Sequence, residues 1–233
     1  MIQVLQNWNE IGIAAKSLAA KNLPRHTTAE KTWDLYQLHS FLQSLSPNAR
    51  VIDLGCSGAS TLKFLHALGF QNIDGIDLHI TILDRLIQLS RMWKHRTFKP
   101  PFRLRRADLT KTPYPDKHFD LAICLSVIEH GIDLPRFFAE SARILKPNAL
   151  LFITTDYWQD KLTPAHTVKE FNLPWTLFSK ADIEQLLTLA AQHGFSLCEP
   201  SPIPPCSEKC VVWNGLKFSF ICLVLKKNQE APS

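Results

Sequence analysis

Apolar residues along this chain follow two rhythms. In the first 48 positions they recur at helical spacing. Trp33, Leu35, Leu38, Leu42 and Leu45 share one helical face, and Thr27-x-x-Glu30 ahead of them has the form of a capping box. The pattern predicts helix through residues 1–48, stopped at Pro47-Asn48. From residue 50 short apolar runs alternate with helical text. Strands are predicted at 50–54, 72–77, 102–109, 119–127 and 149–155. The helices between them start at Ser60, taken as a cap and closed by Gly69, at 80–95, and at Asp133-x-Pro135. Ser179-x-x-Asp182 opens a further helix, with Gly194 just past its end.

Strand and helix alternating in this way predict a doubly wound, mostly parallel sheet of seven strands. The last two strands, starting at 195 and spanning 216–225, have only the Pro-rich stretch 200–205 and a non-helical connector between them. A parallel crossover needs more than that, so the last strand is expected to run antiparallel. Residues 49–227 form one α/β domain in this reading. Residues 1–48 are an arm or lid, 156–178 an insert, and 228–233 a tail.

Composition adds bounds. The 233 residues suffice for one well-buried α/β domain, and a net charge of +5 permits anionic partners without requiring them. No apolar run reaches 18 residues, and the N-terminus has no Lys or Arg before Lys16, so neither a membrane span nor a secretory signal is expected and a cytoplasmic location follows. The six cysteines lie in apolar text and read as free buried thiols. Cys206-x-x-x-Cys210 has no third close ligand, so no metal site is expected.

The candidate chemistry starts at "VIDLGCSGAS", residues 51–60. In open α/β sheets the ligand sits beyond the carboxyl ends of the strands. A dinucleotide loop would need Gly at 55, 57 and 60, where this chain has Gly55, Ser57 and Ser60. Asp53 beside the loop would repel a diphosphate and suit a ligand with positive charge. Asp77 ends the second strand, where a carboxylate accepts ribose hydroxyls, and Asp108 ends the third, where it can accept from an adenine amino group. S-adenosylmethionine, with a sulfonium, an α-ammonium and no phosphate, meets these demands. Its carboxylate suits the helix N-terminus near Ser60.

Four stretches, "VIDLGCSGAS", "IDGIDLH", "RRADLTKTPYPDKHFDLAICLSVIEH" and "ESARILKPNALLFIT", resemble in order the class I S-adenosylmethionine-dependent methyltransferases of the small single-domain type. The resemblance covers about residues 50–155 and implies the Rossmann-like methyltransferase fold, with S-adenosylhomocysteine as co-product. It also implies that Asp53, Gly55, Cys56, Ser57 and Gly58 hold the methionine end, Asp77 and Leu78 the ribose, and Asp108 and Leu109 the adenine. Ser126 and Val127 would then face the donor methyl. The chain departs from the family pattern at Ser57 and Ala59, and at Pro147-Asn148-Ala149, where the family has glycines.

Methyl transfer needs alignment of the acceptor and exclusion of water, and an oxygen or nitrogen acceptor can also need a base. His130 is the candidate base, with backbone packing as its other reading. In the insert, Asp156, Tyr157, Trp158, His166 and Trp175 combine rings with polar groups, as suits a sugar or another polar small molecule. The other reading is that the tryptophans cover the sheet edge. The insert is similar to those of methyltransferases associated with glycan assembly. Residues 91–106, with seven Lys or Arg among aromatics, offer a nucleic-acid face as a second reading. A solvated helix end explains them better, because the charges spread over several elements. A module that binds the cofactor without turnover is a third.

Overall fold

The computed structural model describes residues 1–81, 101–162, 169–170 and 173–229. The helix expected at 80–95, most of the basic run and His166 lie outside them. The central sheet runs β4 (Arg103–Arg106), β3 (Asn72–Asp77), β2 (Arg50–Leu54), β5 (Phe119–Leu125), β6 (Leu145–Tyr157) and β11 (Leu216–Lys227). The first five are parallel, and β11 is antiparallel to β6, as the missing crossover helix requires. The chain goes from β2 outward to β3 and β4 and then returns to β5 on the other side. The connections therefore diverge between β2 and β5, where a crevice opens beyond the strand ends.

The described residues place nine strands in this sheet, not seven, while β7 (Lys169–Glu170) and β8 (Leu173–Pro174) pair with each other apart from it. The additions are β1 (Ile2–Val4) and β10 (Val211–Trp213), which pair antiparallel with β11 as β9 (Phe195–Leu197) also does. β11 is twelve residues long, so it has room for three short partners. The all-helical reading of residues 1–48 is corrected accordingly. The segment begins with an edge strand, followed by α1 (Trp8–Ala20) and α2 (Thr32–Leu42).

Three local expectations fail for local reasons. Thr27 and Glu30 form no capping box. The chain turns into α2, with Thr32 N donating to Ala29 O and Trp33 N to Glu30 O, and the N-cap of α2 is Lys31, which makes no side-chain cap bond. The side-chain cap lies further upstream. Asn7 Oδ1 accepts from Glu10 N, and Glu10 Oε2 accepts from Gln6 N, at the start of α1. Ser60 is the first residue of α3 (Ser60–Ala67), and its cap is Ala59, in the left-handed region at φ 56°. Pro147-Asn148 does not delay the fifth strand. β6 starts at Leu145, and the extra residues bulge out between the pairs Phe119–Leu145 and Leu121–Leu150, with Asn148 left-handed at φ 66°. The capping box at Ser179 and Asp182 forms as read and opens α5 (Lys180–Gln192).

The core follows from the apolar runs. Val51, Ile52, Leu121, Ile123, Leu151 and Ile153 are fully buried in neighbouring strands. α2 packs over the strands through Phe41 against Phe152 (ring centroids 5.9 Å apart) and His39 against Phe64 of α3. α4 (Leu134–Ile144) brings Phe138 to Phe195 of β9. The N-terminal segment is therefore seated on the domain beside the strand ends, and that position matters for the site.

Candidate functional site

A cavity of about 470 Å³ opens at the carboxyl ends of the parallel strands. Gly55 and Ser57 after β2 line it, as do Asp77 and Leu78 after β3, Ala107 and Leu109 after β4, and Ser126, Val127, Glu129 and His130 after β5. Asp156 of β6 and Phe218 and Phe220 of β11 form its far wall. A smaller cavity of about 70 Å³ adjoins it behind the first loop. Asp53, Cys56 and Thr61 line that one, together with Lys31 and Asp34 of the N-terminal segment. Gly55, Ser57 and Lys31 belong to both walls.

The loop after β2 is held by its backbone. Gly55 N and Cys56 N both donate to Ile76 O at the end of β3, at 2.9 and 3.0 Å. Gly55 has φ 88°, and a Cβ there would lie 2.5 Å from Val127 Cγ2, so only glycine lets the two loops close on each other. Gly58, at φ 71°, faces open space. Asp53 is buried, and its Oδ2 has no hydrogen-bond partner among the described residues. Burial pushes its carboxyl up to about 7, and nearby Asp77 adds to the shift. A buried oxygen without a donor, beside a glycine turn and a helix start, fits a ligand that brings an ammonium to Asp53 and a carboxylate to the turn. Burial also pushes the Cys56 thiol up, so it stays a neutral wall.

Of the other expected cofactor positions, Asp77 stands on the cavity rim, with its Oδ1 accepting from His79 N at 2.7 Å. Leu78 is exposed beside it. Asp108 does not line the cavity. Its Oδ1 is taken by Thr110 N and Thr110 Oγ1, both at 2.8 Å, in a turn that aims Ala107 and Leu109 inward instead. Ser126, left-handed at φ 51°, donates from its backbone to Thr154 O and from its hydroxyl to Asp34 at 3.4 Å. The turn after it is closed by His130 N donating to Val127 O.

The insert residues separate by strand alternation. Asp156 faces the cavity, and its Oδ2 accepts from Trp175 Nε1 at 2.9 Å. Trp175 is buried behind it, against Phe218, and does not line the cavity. Tyr157 points the other way and is fully buried, and Trp158 lies under Lys209, so neither lines the cavity as the sequence reading placed them. The insert returns over the loop after β5. Thr176 N donates to Glu129 O at 2.7 Å, and a Cβ on Gly131 would lie 2.7 Å from Pro174.

Residues 52–153 match the family model described as a methyltransferase domain. The fold around that stretch is the one shared by class I S-adenosylmethionine-dependent methyltransferases. It is 26% identical over 145 residues to sterol methyltransferase-like 2 of Botryococcus braunii, covering 61% of this chain and 36% of that one. It is 32% identical over 123 residues to phosphoethanolamine N-methyltransferase 3 of Arabidopsis thaliana, covering 52% and 24%. The chain thus spans well under half the length of these two curated relatives. The fold matches geranyl diphosphate C-methyltransferase from Streptomyces coelicolor A3(2), solved with S-adenosyl-L-homocysteine, at a TM-score of 0.61 and 16% identity over 90% of this chain and 85% of that one.

Several residues of the cavity have no counterpart in the sequence reading. Lys31 holds its ammonium over the Phe220 ring, 4.7 Å from the centroid. Asp34 is buried, and burial pushes its carboxyl up to about 7, with Asp156 adding to the shift and Lys31 opposing it. One signal was available: Asp34 sits four residues before buried Leu38, an acid on the apolar face of a helix. Val212 and Trp213, 64% and 43% exposed, border the cavity on a hairpin whose turn, Asn214-Gly215, is left-handed at both positions. An Asn-Gly turn between apolar runs is the sequence signal for such a hairpin. In the basic run, Arg103 is bonded to buried Asp74 at 2.7 Å and Arg105 lies over the Tyr114 ring. Those two charges serve the fold. Among the described residues no helix is long and apolar enough to cross a membrane.

Proposed function

We propose that this chain transfers a methyl group from S-adenosylmethionine to a polar small molecule of the saccharide type. The observation that carries the cofactor half is buried Asp53, with an oxygen that has no donor among the described residues, behind the Gly55–Ala59 turn. In this reading Asp53 accepts from the amino-acid ammonium, and the backbone of Ser57, Gly58 and the start of α3 receives the carboxylate. Asp77 accepts the ribose hydroxyls. Leu78, Ala107 and Leu109 make the apolar slot for the base, and Asp108 shapes that slot through its turn instead of touching the base. When bound, the cofactor supplies an activated methyl on a sulfonium.

What remains for the protein is alignment and dryness. Ser126 and Val127 set the loop after β5 against Gly55, so the acceptor enters from the side of His130, Glu129 and Asp156. His130 takes the acceptor's proton as the bond to carbon forms. The rings of Phe218, Phe220 and Trp213 supply flat apolar contact, and the carboxyl groups of Glu129 and Asp156 supply polar partners beside them. A sugar presents both kinds of surface at once.

The test has two stages. Calorimetry with S-adenosylmethionine and S-adenosylhomocysteine reads cofactor binding. Incubation with methyl-labelled cofactor and a panel of saccharides then reads transfer. Labelled product in a hydroxyl-bearing acceptor, lost in His130→Ala with cofactor affinity intact, is the expected outcome. Tight binding with no labelled product from any extract would make the chain a cofactor-holding module.

A further inference from the structure

We propose that the acceptor carries a positively charged amine, which docks on Glu129 and Asp156 against the Phe220 ring in the place now held by the ammonium of Lys31. The inference rests on the methyltransferase reading and specifies the chemistry of its acceptor.

Three observations on different elements converge. Glu129 is 1% exposed and lines the cavity. Its Oε2 accepts from Thr155 Oγ1 at 2.9 Å, and its Oε1 has no hydrogen-bond partner among the described residues. A buried carboxyl oxygen without a donor is costly unless something donates to it. Phe220 and Asp156 are register partners on β11 and β6, so an aromatic face and a second carboxylate stand side by side on the cavity wall. Finally, Lys31 lies 4.7 Å over that ring, and its charge bears on both Asp34 and Glu129. An ammonium among carboxylates and over a ring is the arrangement by which proteins recognise amines, and here the chain furnishes the ammonium itself.

The charge balance points the same way. Asp34, Glu129 and Asp156 crowd one region that Lys31 faces, and burial with the neighbouring Asp156 holds the Glu129 carboxyl well above the usual carboxylate range. A cation on the acceptor can take over the neutralisation that Lys31 supplies there, whereas a neutral hydroxyl cannot. Hydroxyls elsewhere on the acceptor still meet the rings and His130, so an amino sugar satisfies both this inference and the saccharide reading.

The experiment uses the full chain saturated with S-adenosylhomocysteine, whose binding is measured first. Saturation-transfer NMR then compares ethanolamine with ethylene glycol and glucosamine with glucose, each amine below its own pKa. Amine probes should bind more tightly than their neutral partners by at least about tenfold, the scale of one charge-assisted hydrogen bond. Glu129→Gln and, separately, Asp156→Asn should erase that preference while S-adenosylhomocysteine affinity holds, which shows that the variant is folded. Lys31→Met should strengthen amine binding by removing the competitor. Equal binding within each pair, or no binding of any amine, overturns the inference. So does Glu129→Gln that weakens S-adenosylmethionine but not S-adenosylhomocysteine, because the acid would then serve the sulfonium. Failure to bind S-adenosylhomocysteine at all sinks the methyltransferase reading instead.

Discussion

Gly55 and Val127 meet where the loops after β2 and β5 close on each other: a Cβ on Gly55 would lie 2.5 Å from Val127 Cγ2 and 2.9 Å from Cγ1. β2 and β5 are neighbours in the sheet although 64 residues separate the ends of the two strands, Leu54 and Phe119. This contact sets the distance between the wall assigned to the cofactor and the wall that carries His130.

Gly55→Ala tests it. The new methyl meets Val127, and φ 88° is a left-handed conformation that alanine adopts only with strain. Strain and overpacking together should cost roughly 2–4 kcal/mol of stability, read by denaturant unfolding. Adding Val127→Ala removes the clash but not the strained φ, so the double variant should recover only part of the loss. Full recovery would show that the backbone angle is harmless here.

Asp53→Asn separates binding from folding. Its carboxyl, pushed up to about 7 by burial, hinders folding when ionised. The amide removes that charge and also the acceptor for an ammonium. We expect S-adenosylmethionine affinity to fall by about 10- to 100-fold, as for loss of a charge-assisted hydrogen bond, while stability at alkaline pH rises. Unchanged affinity in calorimetry would dissociate Asp53 from the cofactor.

Stability should depend on pH through Asp34 and Asp53. Both have ordinary values of 3.8 and are raised to about 7 in the fold. A raised carboxyl is protonated in the native state over a range where the unfolded chain has already lost the proton. Its stabilising contribution is therefore complete below the ordinary value and is lost as pH rises through the folded value. The thermal midpoint of the ligand-free chain should fall between about pH 4 and pH 7. Asp34→Asn should flatten that fall. A midpoint that rises across the interval would contradict the assignment.

Ala59 caps α3 in the left-handed region at φ 56°, where the family pattern has glycine. Ala59→Gly relieves a conformation that costs an L-residue about 1–2 kcal/mol, so unfolding should need more denaturant. Cofactor affinity should be unchanged or improved, since the backbone path is already that of glycine.

The two halves of the site differed in how far the sequence revealed them. Asp53, Asp77 and the Gly55–Ala59 turn were legible because each lies at the end of its own apolar run, and strand ends are local features. Asp108 shows the limit of that logic. It sits at the right strand end, yet Thr110, two residues on, captures its carboxylate. Tyr157 and Trp158 were misplaced because β6 runs two residues further than the apolar run implied, and alternation then turned Tyr157 away from the cavity.

By itself, then, the chain's pattern determined the alternating strands and helices, the antiparallel last strand and the row of acids at successive strand ends. Each of these depends on residues within about a dozen positions of one another. Tertiary structure alone decided that Lys31 and Asp34 would face Glu129, Asp156 and Phe220. That meeting requires α2 to pack against β6, through Phe41 and Phe152, and β11 to pair with β6 at one register, Phe220 opposite Asp156. Long-range packing and register are set by the sum of all the buried faces, and no single segment carries that information.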